Sequence, residues 1–374
     1  MTRRRLTTLI LGVVFLGALS WWKIGAGSVA HPLREQSLPD ALVRSGALAP
    51  SRGSLVQFAG KTMGTTYRIK YVSVPGAAQR SVQIGVKMAL SSVNQAMSTY
   101  LATSEVSAFN RGKAGQIFSV SSDLMKVLQL SWRVHHQSQG AFDITVRPLV
   151  RAFGFGSDAR ASLPSEVELL KIRRRVGMKY LKIDPQTGTV QKLVHGVEMD
   201  LGAIAKGFGV DQAARVLEEL GLLNYMVEVG GEIRVRGRKS TLSPWVLGIE
   251  EPSASGRSVH GELILSDSGG ALATSGDYRN FHEAGGVLVS HTLDPRTGEP
   301  VPRRTASVSV IRESAAEADA LATALGVLAP KEAIRLANRR EWAVYLLVHD
   351  PAGGWFEFSS REFLKLSFKK TALH

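Results

Sequence analysis

The chain has 374 residues, 44% of them hydrophobic and 21% charged, with a formal net charge of +14. That length and balance suit one large or two ordinary globular domains with a real core, and they exclude a disordered polypeptide. The complete lack of cysteine excludes disulfides, thiolate metal sites and a cysteine nucleophile. The positive charge suits an anionic ligand, anionic lipid or plain solubility, and no aromatic-interleaved basic motif points to nucleic acid.

Arg3, Arg4 and Arg5 precede an uncharged, mostly apolar run from Leu6 to Trp22, the pattern of a basic n-region and an h-region. Ser28-Val29-Ala30 offers small residues for cleavage before His31. The run is also near the lower length for spanning a bilayer. Residues 1–30 are therefore expected to be a signal peptide or an inner-membrane anchor, with the arginine side in the cytoplasm. The rest of the chain is expected at the periplasmic face of the cytoplasmic membrane. Residues 31–54 read as a linker and 55–374 as the folded domain.

The body begins with two strands around Met63-Gly64, the second enriched in β-branched and aromatic residues. Ser81 to Met97 reads as a helix with Val82, Val86, Leu90, Val93 and Met97 on one face. It ends in the polar-aromatic corner Ser98-Thr99-Tyr100, after which Ser104-Glu105 starts a short helix. Ser121 to Ser138 is a further helix with a serine N-cap. Asp143 and Thr145 lie between apolar residues and read as a buried polar pair, since a buried carboxylate needs partners. A basic helix is expected from Ser162 to Val176, and a hairpin over 180–193.

Val197 to Leu220 is the stretch around which the chain is organised. It is expected to run from a short strand through a small-residue turn into an amphipathic helix. Gly202, Gly207 and Gly209 surround Lys206, with Asp200 and Asp211 on either side. Such a helix start suits an anion, because free N–H groups, the helix dipole and a lysine act together. The plainer reading is a connection whose glycines serve tight turns. Beyond it, Tyr225 to Arg236 reads as two strands broken at Gly230-Gly231. More strands are expected at 245–250, 261–266, 287–290, 307–311, 342–349 and 354–358, and a helix at 314–328. Strands and helices mix without regular alternation, which indicates an α+β fold. Asp319 and Thr323 share one face of the last helix. A carboxylate with a hydroxyl can hold a hard cation such as Mg²⁺, or can simply be a polar pair at a core edge. His291, at the end of a strand before the turn Asp294-Pro295-Arg296-Thr297-Gly298, reads by itself as structural.

Taken together, TMGTTY, STY, SEVSAFN, GAFDIT, DLGAIAKGFGVD, VEVGGEI, ATSGDY, HTLDPRTGEP and SVSVIRESAAEADALATAL occur in the order of the motifs of the ApbE family of FAD:protein FMN transferases. The chain resembles that family from about Phe58 to Ala329. The resemblance implies a single, T-fold-like α+β domain with mixed and antiparallel sheets. It implies FAD as donor, Mg²⁺ as cofactor, and transfer of FMN through its phosphate to a Thr or Ser of a flavoprotein subunit of a membrane electron-transport complex, with release of AMP.

Residue by residue, the resemblance places Met63, Ser98, Thr99, Tyr100, Ala141, Phe142, Asp143, Asp200, Lys206 and Leu293 around FAD. It places the Ala203 carbonyl, Asp319 and Thr323 around Mg²⁺. His291 is our candidate base. The sequence departs from the pattern at Ala152-Phe153-Gly154, where Trp-Gly is usual, and at Glu232, where Asp is common. A Mg²⁺-dependent FAD pyrophosphatase and a non-catalytic flavin-binding protein are the alternatives.

Overall fold

Strands β1 (Leu55–Thr62) and β2 (Thr65–Val72) meet at Met63 and Gly64, whose φ angles of 47° and 72° are the left-handed pair of a two-residue hairpin. The computed structural model describes residues 53–155, 163–239, 243–252, 258–276, 281–284, 287–302 and 304–371. The expected leader and nearly all of the expected linker lie outside those residues. Among the described residues, no helix is long and apolar enough to cross a membrane.

Helix α1 (Gln79–Met97) buries the predicted stripe of Val82, Val86, Leu90, Val93 and Met97. Helix α2 (Glu105–Arg111) is N-capped by Ser104, which accepts from the Ser107 N–H. Strand β3 (Ile117–Ser119) leads to α3 (Ser122–Gln137), capped by Ser121. Next come α4 (Arg147–Ala152) and α5 (Glu166–Arg173). The basic helix is thus shorter than expected, because the capping box of Ser165 and Glu168 sets its start; residues 156–162 lie outside the described residues. Strands β4 (Leu181–Asp184) and β5 (Thr189–Lys192) form the predicted hairpin. The short strand expected from Val197 is absent; a single parallel bridge between Val146 and Glu198 takes its place before α6 (Ala205–Glu219).

Strands β6 (Tyr225–Val229) and β7 (Glu232–Arg236) pair across Gly230-Gly231 as predicted. There follow β8 (Val246–Glu250), β9 (Val259–Ile264), β10 (Gly270–Gly276), β11 (Phe281–Ala284), β12 (Val287–Ser290) and β13 (Thr305–Arg312). Helix α7 (Ala315–Val327) begins at the cap Ser314, and α8 (Pro330–Arg340) carries proline in its first turn. Strands β14 (Ala343–His349), β15 (Trp355–Ser359) and β16 (Ser367–Lys370) close the chain.

Eight strands form one antiparallel sheet in the order β1-β2-β6-β7-β10-β13-β14-β15. Strands β13 and β14 are buried on both faces along most of their length. Ala271, Ala273, Val308, Val310, Val344 and Leu346 face the helices α1, α3, α6 and α7. Leu272, Ile311, Tyr345 and Leu347 face a second sheet of three strands, β16-β9-β8. Helix α7 is alanine-rich and buried all round, which fits its place against β10 and β13 between other elements. The architecture is α+β, as expected.

Candidate functional site

Two close approaches build the centre of the site. A β-carbon at Gly207 would collide with the Ala315 carbonyl, so the absent side chain lets α6 and α7 touch at their starts. A β-carbon at Gly209 would lie 2.5 Å from Met63 Cε, so the hairpin tip seals the other side of α6. Protein thus fills the space beside both glycines. Asp211 joins the two helices. Its carboxylate accepts from Ser314 Oγ and from the Ala315 and Ala316 N–H groups at 2.7–3.0 Å, and it pairs with Arg234 at 3.0 Å. Asp211 therefore caps α7.

The same contact delivers Asp319 to the start of α6. Asp319 is 4% exposed, and its Oδ2 accepts from the Gly207 N–H at 3.1 Å. It is the anion that satisfies an early N–H group of that helix. Lys206 Nζ lies 3.3 Å from Asp319 Oδ2 and 2.9 Å from Glu232 Oε1. Gly230, with φ of 61°, leaves the room in which the Lys206 stem passes. Burial works against the Lys206 charge, but Asp319 and Glu232 outweigh it and hold the ammonium above its usual range. Burial pushes Glu232 up to about 8, with Lys206 opposing and Asp319 adding to the rise. The second Glu232 oxygen, Oε2, is buried and has no hydrogen-bond partner among the described residues.

A neighbouring set gathers around residues 140–147. Asp143 is buried as predicted with Thr145, whose N–H and hydroxyl both donate to its Oδ1, while Met178 N–H donates to Oδ2 at 3.0 Å. Ala141 and Phe142 are buried beside it, and His135 Nδ1 lies 2.8 Å from the Phe142 carbonyl. The Asp200 N–H donates to the Ile144 carbonyl, and the Asp200 carboxylate accepts from the Gly202 N–H and lies 3.8 Å from Arg147. Leu293 is buried against Leu149 and Phe153, so the turn after His291 rests on α4. His291 itself meets the Phe155 ring edge-on at 6.4 Å.

The corner after α1 is rigid. Ser98 Oγ accepts from the N–H groups of Tyr100 and Leu101, and its carbonyl accepts from Ser104 and Ser107. This leaves the Tyr100 side chain 76% exposed, with Thr99 half-buried beside it.

The structure thus brings together Lys206, Asp319 and the start of α6, and separately Asp143, Asp200 and Leu293 through the 140–150 segment. Thr323 lies one turn beyond Asp319 on α7 and is half-buried, as is Ala203 in the turn before α6. Sequence reasoning noted Glu232 only as a departure from the family pattern and missed its place beside Lys206. Its signal was strand alternation, which places it on the same face of β7 as Arg234, toward α6. Among the described residues, no three His, Asp or Glu side chains converge as an all-protein metal cage.

The family model described as ApbE family matches residues 63–346. The chain is 39% identical over 329 residues to the FAD:protein FMN transferase of Vibrio cholerae, covering 87% of this chain and 96% of that protein. It is 37% identical over 338 residues to the FAD:protein FMN transferase of Haemophilus influenzae, covering 88% and 96%. The solved structure of flavin transferase ApbE from Vibrio cholerae matches with a TM-score of 0.77 at 38% identity, covering 84% of this chain and 99% of that one. These likenesses make the chain an enzyme of the transferase class. It belongs to the ApbE family.

Proposed function

We propose that this enzyme transfers FMN from FAD to a Thr or Ser hydroxyl of a target flavoprotein, with Mg²⁺ as cofactor. The phosphoanhydride bond of FAD breaks, a phosphoester forms between the FMN phosphate and the hydroxyl oxygen, and AMP leaves. The hydroxyl proton passes to a base. The observation that carries the reading is the meeting of Asp319 with Lys206 and Gly207 at the start of α6, in a chain whose relatives bear the name FAD:protein FMN transferase.

The residues fit a hard divalent cation. Asp319 offers a buried carboxylate, Glu232 Oε2 is buried without a hydrogen-bond partner among the described residues, and every donor is oxygen. Mg²⁺ commonly uses one or two carboxylates and takes its other ligands from water and substrate phosphate, so a full protein cage is not needed. Asp319, the Thr323 hydroxyl and the Ala203 carbonyl would hold it, and once bound it supplies neutralisation of phosphate charge. Lys206 adds a fixed cation whose charge its two carboxylate partners secure. Met63, Ser98, Thr99, Tyr100, Ala141, Phe142, Asp143, Asp200 and Leu293 would line the FAD site. His291 is assigned to accept the hydroxyl proton, since a neutral imidazole near pH 7 suits that task.

The acceptor is read as a flavoprotein subunit of a membrane electron-transport complex, and residues 1–30 as the export segment or anchor that brings the enzyme to the periplasmic face. The test is mass spectrometry of such a subunit after incubation with the enzyme, FAD and Mg²⁺. An FMN-sized adduct on Thr or Ser is the expected result. Free FMN and AMP without an adduct would make the enzyme a hydrolase, and unaltered bound FAD would make it a binding protein. A His291→Asn variant that binds FAD yet transfers at the wild-type rate at every pH would remove His291 from its role.

A further inference from the structure

Helix α5 carries apolar residues on two sides, and among the described residues protein covers only one of them. Leu169 and Ile172 pack against the small core of Leu149, Phe153, Val176 and Leu293. On the other side Val167 and Leu170, three residues apart, are 61% and 58% exposed.

This uncovered stripe ends in cations. Exposed Lys171 and Arg174 follow Leu170, and Arg174 falls four residues beyond it on the same side. Neither has an ion-pair partner among the described residues. The acidic residues of this helix lie at its other end: Glu168 is held in the capping box and Glu166 sits in the first turn.

We propose that α5 is an interfacial helix that lies on an anionic lipid surface. Val167 and Leu170 seat in the acyl boundary, and Lys171 and Arg174 reach the head groups. Apolar side chains beside unpaired long cations match this surface, since the stems can lie against lipid while the charges meet phosphate. The net charge of +14 favours the same encounter. The helix is tied to the site: Arg173 Nη2 donates at 3.0 Å to the Arg296 carbonyl, in the turn that follows His291 and Leu293. Lipid held by α5 therefore fixes how far that turn stands from the bilayer.

The chain has no cysteine, so a single introduced one can be labelled uniquely. In the full-length chain, Leu170→Cys carries an environment-sensitive fluorophore. Met88→Cys, at an exposed position of α1, is the control. Each is mixed with vesicles of phosphatidylcholine alone or with phosphatidylglycerol, containing brominated acyl chains as quencher. The label at 170 should shift to the blue and be quenched in the anionic vesicles while the label at 88 stays in water. Each of Lys171→Gln and Arg174→Gln should weaken the lipid titration by about fivefold. Equal exposure at both positions in anionic vesicles would overturn the proposal. So would shielding at 170 before lipid is added, which means that another part of the chain or a second copy covers the stripe. Shielding that appears only with an acceptor protein would assign the stripe to that protein and would equally overturn it.

Discussion

The main sheet carries a polar network on each face, and the two are built differently. On the second-sheet side, Tyr345 is 2% exposed, its hydroxyl lies 2.8 Å from His260 Nε2, and Glu357 lies 3.6 Å from that nitrogen and 2.6 Å from Lys370. The Tyr345 ring stacks on Phe363 at 4.9 Å. Every polar group there has a partner. On the helix side, Lys206 stands between Asp319 and Glu232, and one carboxylate oxygen is left over. The Asp319 carboxylate and the Glu232 carboxyl, which burial pushes toward its neutral form, face one ammonium. A satisfied network fixes a structure, whereas a network short of one partner is poised for a ligand to complete it. The contrast predicts that changes on the helix side act on transfer, and that changes on the other side act on stability.

The largest effect should come from Asp319→Asn. The amide can still accept from the Gly207 N–H, so the α6 start keeps its partner while the charge is lost. Transfer should fall by more than about 100-fold, the scale of losing a group that stabilises transition-state charge. Urea unfolding should move by no more than about 1 kcal/mol. Transfer at the wild-type rate would remove Asp319 from the site.

Glu232→Gln sharpens the comparison, because it alters a residue that touches Lys206. Transfer should fall by about 10- to 100-fold, as for other groups that hold a ligand in place. The pH dependence of stability should change as well. Burial raises the folded Glu232 to about 8 from 4.5. The folded state therefore holds a proton that the unfolded chain has released, and stability is lost as pH rises from 4.5 through 8. The variant should lack that loss, which unfolding midpoints at pH 5 and 8 would reveal. The same slope in both proteins would refute it.

Much of this was legible in the sequence, and the gaps have physical causes. Helix α1 showed itself through periodic apolar residues, α3 through these and a serine cap, and β6 and β7 through a glycine pair. Strand β10 did not, because Ala271 and Ala273 are small where α7 packs on them, and small residues carry little strand signal. Gly207 and Gly209 were visible as glycines, but sequence does not show what occupies the space of a missing side chain. Asp319 and Lys206 are 113 residues apart. Only resemblance to a family could join them, and it marked Glu232 as a departure without giving it a role.

On the other face, Tyr345→Phe should lower stability by about 1–3 kcal/mol, since it leaves His260 and Glu357 without a buried hydroxyl. Transfer by the folded variant should be unchanged. A loss of transfer at full stability would mean that this face also serves the reaction and would break the comparison.

The smallest effect concerns His260. Burial lowers its tendency to take a proton, more than Glu357 raises it, so the folded state keeps it neutral below the ordinary value of 6.5. The unfolded chain then binds more protons than the folded one in that range. Stability is complete above 6.5 and declines as pH falls below it toward the lower folded value. His260→Gln can still donate to the Tyr345 hydroxyl but cannot charge, so it should unfold with a smaller difference between pH 7.5 and pH 5.5 than the wild type. Equal differences would show that the imidazole takes its proton in place, with Glu357 meeting the charge. The second-sheet network would then be adjustable, as the helix-side network is.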